Sequence, residues 1–558
     1  MLINMRMKMA GLAMVAGVGM VSLANGSVFD TVVMSGEVGV GDKTYESFNR
    51  VDINNHGQIV FQTVMDDDNQ SDDLKTYANY YVGADRNCAV IDSLVSGDVW
   101  EVGSYKYGYA LASPMYRTQI NDRGDIAYVK MLEPWPSHTI YEEERGDFEL
   151  VRVGVGDVNQ KEVLAKSGEA TGGVMPDPFN QGAAAAHYYK FSAADYFELK
   201  ESGLIGFSSG VSKQGEGDTE DLVALFTIQG GGVNEVFMEG KEGIGGPFWA
   251  NIYDQYKFNV NGAGDAMFVH DSGVPGTYNG SLAFYDSATG MTTELTKGEA
   301  LAPGHDDGSY YSSIGKIATG MLMNDNGVGV FEAYLKVDGK SSRQALYRLE
   351  EGEVTLIATS DFNFDDEGEE FGLVYSPDAL NNRNEYLFRA WESMDKPFHQ
   401  LYFGSDDGIE AVYRSGDLAV GFESEDYRYV GTAFDLIWRD QEQIQLNEQG
   451  VATFIVALDK EGVGGKTALY SRGIDGALDL IAHTGEEIEV MVDGQLVMKT
   501  IKAFDHDLFD LNDENVLAFG LEFMDGSSGL FTTMVPEPMS GVVLSVMGMC
   551  GLMRRRIG

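Results

Sequence analysis

Cysteine is almost absent: Cys88 and Cys550 are the only two in 558 residues, and Cys550 lies in the apolar stretch near the C-terminus, beyond the last repeat. No disulfide framework is available, so the fold must hold by packing. Proline is scarce at 12 residues while glycine reaches 69, which excludes a collagen-like or disordered chain and suits many tight turns between short strands. Basic residues are scarce too, with 39 Lys and Arg against 87 Asp and Glu and a formal net charge of -48. A surface of that sign repels nucleic acid and anionic lipid heads, and it suits divalent cations or basic and neutral polymers. The sequence has no HExxH zinc motif and no P-loop, and its eight histidines are scattered without metal-ligand spacing.

What is present is a phrase repeated eight times. Aligned on its glycine it reads INNHGQIVF (Gly57), INDRGDIAY (Gly124), LKESGLIGF (Gly203), VNGAGDAMF (Gly264), MNDNGVGVF (Gly327), LNNRNEYLF (Asn384), LNEQGVATF (Gly450) and LNDENVLAF (Asn515). The steps are 67, 79, 61, 63, 57, 66 and 65 residues. An aromatic follows four places on in every copy: Phe61, Tyr128, Phe207, Phe268, Phe331, Phe388, Phe454 and Phe519. An asparagine stands three places before in seven copies, at Asn54, Asn121, Asn261, Asn324, Asn381, Asn447 and Asn512, with Lys200 the exception. Asn starts turns by bonding its own backbone, and Gly or Asn three residues later tolerates the positive φ that closes them. The phrase therefore predicts a β-turn followed by a strand with a buried aromatic, repeated as a structural unit.

A second phrase of the SGE type recurs before each first one, as at 35–37, 167–169 and 415–417, and short apolar segments such as ALYRL at 345–349 and VTLIA at 354–358 fill the remainder. Each unit thus predicts four short antiparallel strands. Meanders of this kind arranged radially make an all-β propeller of about eight four-stranded blades. The apolar segment at 28–34 is placed to supply the fourth strand of the last unit, which would close the ring by pairing the N- and C-terminal strands. A seven-bladed propeller and an open β-solenoid remain the alternatives.

The two ends carry processing signals. Residues 1–26 combine Arg6, Lys8 and an apolar run from Ala10 to Ala24, the pattern of a signal peptide, leaving 27–535 as the propeller. Residues 536–558 begin with Pro536, Glu537 and Pro538, continue through a short apolar stretch, and end in Arg554, Arg555 and Arg556 before Ile557 and Gly558. This tail resembles the PEP-CTERM sorting signal of Gram-negative bacteria. The resemblance implies an exosortase-type transpeptidase as partner during export, transient membrane contact through the apolar segment, and a destination at the cell surface or in the extracellular matrix. The repeated Asn-x-x-Gly-x-x-x-aromatic phrase is likewise similar to tandem-repeat bacterial surface proteins named for it. Lys200, Asn384 and Asn515 depart from that pattern and are expected to weaken individual turns.

Candidate chemistry lies in the acidic loops. Asp66, Asp67 and Asp68, then Asp306 and Asp307, then Asp365, Asp366 and Glu367 are oxygen-rich groups of the type Ca²⁺ prefers, although none has the twelve-residue calcium-loop spacing and a very acidic chain also yields such runs as solvated surface. No cofactor is required. GFSSG at 206–210 matches the nucleophile-elbow letters around Ser208, but no helix pattern follows it. Loop aromatics outside the repeat, Trp100, Trp135, Tyr310, Tyr311 and Trp391, are candidates for polymer contact. The expected function is binding or structural, toward extracellular polysaccharide. The alternative is a secreted polysaccharide hydrolase or lyase using paired carboxylates in one asymmetric cleft.

Overall fold

The computed structural model describes residues 29–39, 43–66, 76–84, 86–95, 115–131, 148–154, 158–166, 170–175, 184–190, 197–213, 222–238, 258–271, 280–296, 300–305, 308–314, 321–336, 343–360, 373–391, 400–432, 444–461, 463, 465–492 and 494–535. These form eight separate antiparallel sheets, the blades of a ring. In chain order blades 1 to 7 span 44–95, 115–166, 170–238, 258–296, 310–359, 373–413 and 428–483, and blade 8 joins 487–534 with 30–34. Blade 1 shows the plan: Thr44–Ile53 leads into the Asn54 turn, Ile59–Asp66 carries Phe61, and Thr76–Val82 and Cys88–Val95 complete the sheet. Among the described residues no helix is long and apolar enough to cross a membrane.

The expectation of uniformly four-stranded blades is corrected. Blades 1, 2, 4 and 6 have four strands, blades 5, 7 and 8 have five, and blade 3 has six. Extra chain before the turn breaks the first strand in two. Tyr310–Ile314 and Met321–Met323 both pair with Gly329–Lys336, and Arg428–Thr432 and Ile444–Leu446 both pair with Ala452–Asp459. In blade 8 the surplus comes instead from the long strand Gln495–Leu511, whose first half forms a hairpin with Glu487–Val492.

Asp30–Met34 pairs with Ser528–Met534, placing Asp30 opposite Thr532 and Met34 opposite Gly529. The expectation that pairing of the N- and C-terminal strands closes the ring is corrected, since the sheet stays open. This pairing completes the outer edge of blade 8 alone. Continuity comes from eight apolar cores, each shared by two neighbouring blades. One of them joins Val33, Leu508, Ala518 and Leu530 of blade 8 to Tyr45, Phe48, Phe61 and Tyr80 of blade 1. Side chains alternate along a strand, so Ile59 and Phe61 enter the core with blade 8 while Val60 enters the core with blade 2. Both faces being buried, the strands read as nearly unbroken apolar runs.

All eight repeat aromatics are at most 1% exposed, and each joins the core shared with the preceding blade. Several stack on an aromatic directly across the strand pair: Phe61 on Tyr80 at 5.4 Å, Phe331 on Tyr347 at 5.6 Å and Phe388 on Tyr402 at 5.4 Å. Such pairs add about 0.5–1.5 kcal/mol beyond area burial. Tyr311, a sequence candidate for polymer contact, is 1% exposed and packs edge-on to Tyr347, so it belongs to the core.

Deleting Phe29–Met34 leaves Ser528–Met534 as an unpaired edge and removes the edge-to-face contact of Phe29 with Phe519. The expected result is a lower melting temperature and aggregation on size-exclusion chromatography. A melt equal to that of the intact chain would show that blade 8 does not need its outer strand.

Candidate functional site

The eight turns meet on one face of the ring, where the sequence repeat does more than bend the chain. Gly57, Gly124, Gly203, Gly264, Gly327 and Gly450 have φ between 70° and 94°, and Asn384 and Asn515 take φ of 63° and 60°. Each turn closes through the N–H of this residue to the carbonyl three places back, as from Gly57 to Asn54 at 2.9 Å. The Asn54 Oδ1 accepts the N–H groups of His56 and Gln58, fixing the turn from inside.

The asparagine Nδ2 reaches out of its blade. Asn54 donates to the Asn121 carbonyl at 3.0 Å, and Asn121 to that of Lys200 at 3.1 Å. Asn324 donates to Asn381 at 2.8 Å, Asn381 to Asn447 at 3.0 Å, Asn447 to Asn512 at 3.0 Å, and Asn512 back to Asn54 at 2.8 Å. The second Nδ2 proton stays local where the residue four places on is polar, as in Asn54 to Gln58 and Asn381 to Glu385. At Asn324 and Asn447 that residue is Val328 or Val451, and the proton goes instead to Asn384 Oδ1 at 2.9 Å or Asn515 Oδ1 at 2.8 Å. The two asparagines in glycine positions therefore add a cross-blade bond, which corrects the expectation that they weaken their turns.

A belt of acceptors follows at the next residue. The N–H of Asn55 donates to Asp122, that of Asp122 to Glu201, and that of Gly262 to Asp325, each at 2.6 Å. The N–H of Asp325 donates to the Asn382 side chain at 2.7 Å, that of Asn382 to Glu448 at 2.9 Å, that of Glu448 to Asp513 at 2.8 Å, and that of Asp513 to the Asn55 side chain at 2.6 Å. Two residues before the turn asparagine the lacing runs in the opposite sense, from Ile120 N–H to Asp52 at 2.7 Å and from Ile53 N–H to Asp510 at 2.8 Å. Among the described residues the segment leading directly into each turn pairs only with the strand after it, and these side chains satisfy N–H groups on its open inner side. Sequence reasoning missed this belt, although seven of its eight positions carry a side-chain oxygen: Asn55, Asp122, Glu201, Asp325, Asn382, Glu448 and Asp513.

Crowding shifts these acids. Burial and the fields of Asp122, Asp52 and Asp513 push Glu201 up to about 7, and Glu448 is raised by burial and by Asp513, Asp325 and Glu385. Burial, then the facing Asp52 carboxyl that hydrogen-bonds to it, holds Asp510 well above the carboxylate range, so the two share a proton.

A cleft of about 780 Å³ opens between blades 2 and 3 on this face, lined chiefly by Arg123, Arg152, Lys161, Gln160, Ser202 and Gly230. Arg123 bridges its floor, donating to the Ser202 carbonyl at 2.6 Å and pairing with Asp125 at 3.1 Å. Arg383 makes the same two contacts between blades 6 and 7, with Gln449 and Glu385.

Among the residues singled out in sequence, Ser208 is 1% exposed within strand Ile205–Lys213, where it faces Leu225 of the next strand, and forms no elbow. Trp391 ends strand Tyr386–Trp391 edge-on to Tyr375. Asp66 ends strand Ile59–Asp66, while Asp67, Asp68, Asp306, Asp307, Asp365, Asp366, Glu367, Trp100, Trp135 and the whole 536–558 tail lie outside the described residues. No group of three or more His, Cys, Asp or Glu side chains placed to hold a metal ion occurs among the described residues.

Asn447→Ala removes the acceptor of Gln449 and Val451 and the donor to Asn512, so it is expected to cost about 2–4 kcal/mol. A lower urea midpoint at unchanged slope would check this. For the acids, a folded pKa above the unfolded one means that the folded state binds more protons, so stability rises as pH falls through it. Glu201 titrates at about 7 and Asp505 is raised by burial to about 6, so the melting temperature is expected to climb between about pH 8 and about pH 6. Asp510→Asn, which keeps the shape and replaces the shared proton by an amide donor, should melt no lower than the natural chain at about pH 8. A fall in its melting temperature there would show that Asp510 is held ionised.

Solved structures with similar folds include the β-propeller domain of the trilobed protease from Pyrococcus furiosus (10% identity, TM-score 0.35, 75% of this chain and 92% of that one). A Dos1 propeller matches at 8% identity with TM-score 0.37, over 92% of this chain and 99% of that one. Trypanosoma rangeli sialidase matches at 12% identity with TM-score 0.27, over 66% of this chain and 58% of that one. At these TM-scores the chemistry has to be argued from this chain's own residues. A search of curated proteins found no match. A protein-family comparison matches residues 25–397 and again 360–542, nearly the whole ring, and on that extent the chain belongs to DUF7453, a family of unknown function.

Proposed function

We propose that the protein is an exported binding scaffold of the cell surface or extracellular matrix that engages polysaccharide without transforming it. The observation that carries this reading is the use made of the axial carboxylates. Asp122, Glu201, Asp325, Glu448 and Asp513 each accept a backbone N–H from the neighbouring blade. Acids committed in this way fix the ring and leave recognition to the grooves and loops around it.

The second reading, a hydrolase or lyase with paired carboxylates, is favoured by Asp52 and Asp510, which share a proton at the junction of blades 8 and 1. Both of them accept N–H groups of the strands, and their direct contact is closer than the roughly 5–10 Å that two carboxyls flanking a glycosidic bond require.

Export places the ring outside the cell, with the Pro536-Glu537-Pro538 signal read by an exosortase-type transpeptidase. Ca²⁺ would enter this scheme through the loops of Asp66, Asp67 and Asp68, of Asp306 and Asp307, or of Asp365, Asp366 and Glu367.

A glycan array probed with the purified protein tests the scaffold reading, followed by assays for new reducing ends and unsaturated sugars on every polymer bound. Retention without product is expected. Product formation lost in Asp510→Asn would establish the enzyme instead, and binding to no polymer would remove both.

A further inference from the structure

We propose that the cleft between blades 2 and 3 binds a carboxylate-bearing saccharide, a uronic-acid segment, through Arg152. This deepens the scaffold reading and rests on it.

Two grooves of the ring are equivalent in position. Arg152 follows Leu150 and Val151 in the third strand of blade 2, and Arg348 follows Leu346 and Tyr347 in the third strand of blade 5. Their registers against the outer strand match. Leu150 faces Ala165 and Leu346 faces Ala358, and in each blade one residue is then skipped. Arg348 crosses to the next blade and pairs with Asp406, in the hairpin turn bounded by the Ser405–Gly408 pair. The corresponding turn in blade 3 is bounded by the Gln229–Gly232 pair, and Gly230 stands where Asp406 stands. Blade 3 therefore offers no side chain there. Arg152 turns back to Glu162 on its own blade at 2.6 Å, and the 780 Å³ cleft lies where the cross-blade ion pair would be.

The lining fits an acidic sugar. Arg123, Arg152 and Lys161 line the cleft with Asp125 and Glu162, and Lys161 pairs with Asp92 at 3.2 Å, a carboxylate it shares with Lys130, so cations are concentrated here in a chain with 39 basic and 87 acidic residues. Asn159, Gln160, Gln229 and Ser202 supply amide and hydroxyl groups for sugar hydroxyls. The volume falls within the range of roughly 300–1,000 Å³ usual for small-ligand sites. Arg152 is 23% exposed and Glu162 53%, so a ligand carboxylate can compete for the guanidinium from the open side.

Gly230→Asp tests the assignment by restoring the missing partner. An added Cβ meets nothing within 4 Å, and Asp is among the residues that best tolerate the φ of 58° found there. The whole protein is titrated calorimetrically with oligogalacturonate, with a malto-oligosaccharide of equal length as the neutral control and sodium acetate as the bare-anion control. Oligogalacturonate is expected to bind, the two controls not. Losing one charge-assisted contact should weaken it about ten- to a hundredfold in both Gly230→Asp and Arg152→Gln. Arg348→Gln, in the other groove, should leave affinity unchanged, and an undiminished Gly230→Asp melting temperature confirms that the loss is not unfolding. Binding that survives either cleft variant, or equal binding of the neutral sugar or acetate, overturns the proposal. If oligogalacturonate fails to bind while the glycan array finds another polymer, the cleft assignment falls alone. If the array is also empty, the scaffold reading falls with it.

Discussion

One carboxamide, repeated around the ring, is what the rest of the fold depends on. The side chain of each turn asparagine has two lone-pair sites and two protons, and the turns use nearly all of them. At Asn54 the oxygen holds the turn of its own blade, one proton is retained locally on Gln58, and the other holds the next blade. The aromatic seven residues later packs against the preceding blade, as Phe61 does against blade 8. A single short phrase thus faces both neighbours, so turn formation and blade assembly are coupled at the same residues. Buried networks of this kind are strong when complete and costly when one member is removed.

The parts of this arrangement legible in the sequence were those set by nearby residues. Positive φ at Gly57 or Asn384 and the burial of Phe331 follow from local turn chemistry and strand alternation, which depend on residues within the phrase. The blade count followed from repetition. The outward half of the asparagine's role was hidden because its partner is a backbone carbonyl 57 to 79 residues away, or 458 away for Asn512 and Asn54. A carbonyl carries no letter in the sequence. The acidic belt was hidden for a related reason, since Asp, Glu and Asn serve equally as acceptors and the position looks variable when read as identity. Sequence reasoning therefore looked for chemistry in the conspicuous acidic loops. The cleft between blades 2 and 3 owes its shape to the missing side chain at Gly230, a feature that becomes meaningful only when set beside Asp406 in register.

Charge acquires a specific meaning in this setting. Asp52 and Asp510 are close enough to share a proton, and Glu201 and Glu448 lie in the fields of acids from other blades. The inner strand edges need acceptors, and carboxylates are strong ones, yet arranging them around a common centre makes their full ionisation unfavourable. Keeping the acceptors therefore raises the pKa of the most crowded of them.

The alternative uses of the second asparagine proton give two junctions of the ring a lock-and-key order. Where Val328 or Val451 offers no oxygen within a blade, the following blade carries Asn384 or Asn515 to receive the proton, and where Gln58 or Glu385 serves, the following blade carries glycine. The junctions of blades 5 with 6 and 7 with 8 are matched in this way, whereas Asn512, with Val516 four places on, is followed by Gly57. Placing a glycine-bearing turn at 384 or 515 would keep the backbone of blade 6 or 8 while taking the acceptor from Asn324 or Asn447, so repeats alike in architecture are addressed in sequence at these two junctions.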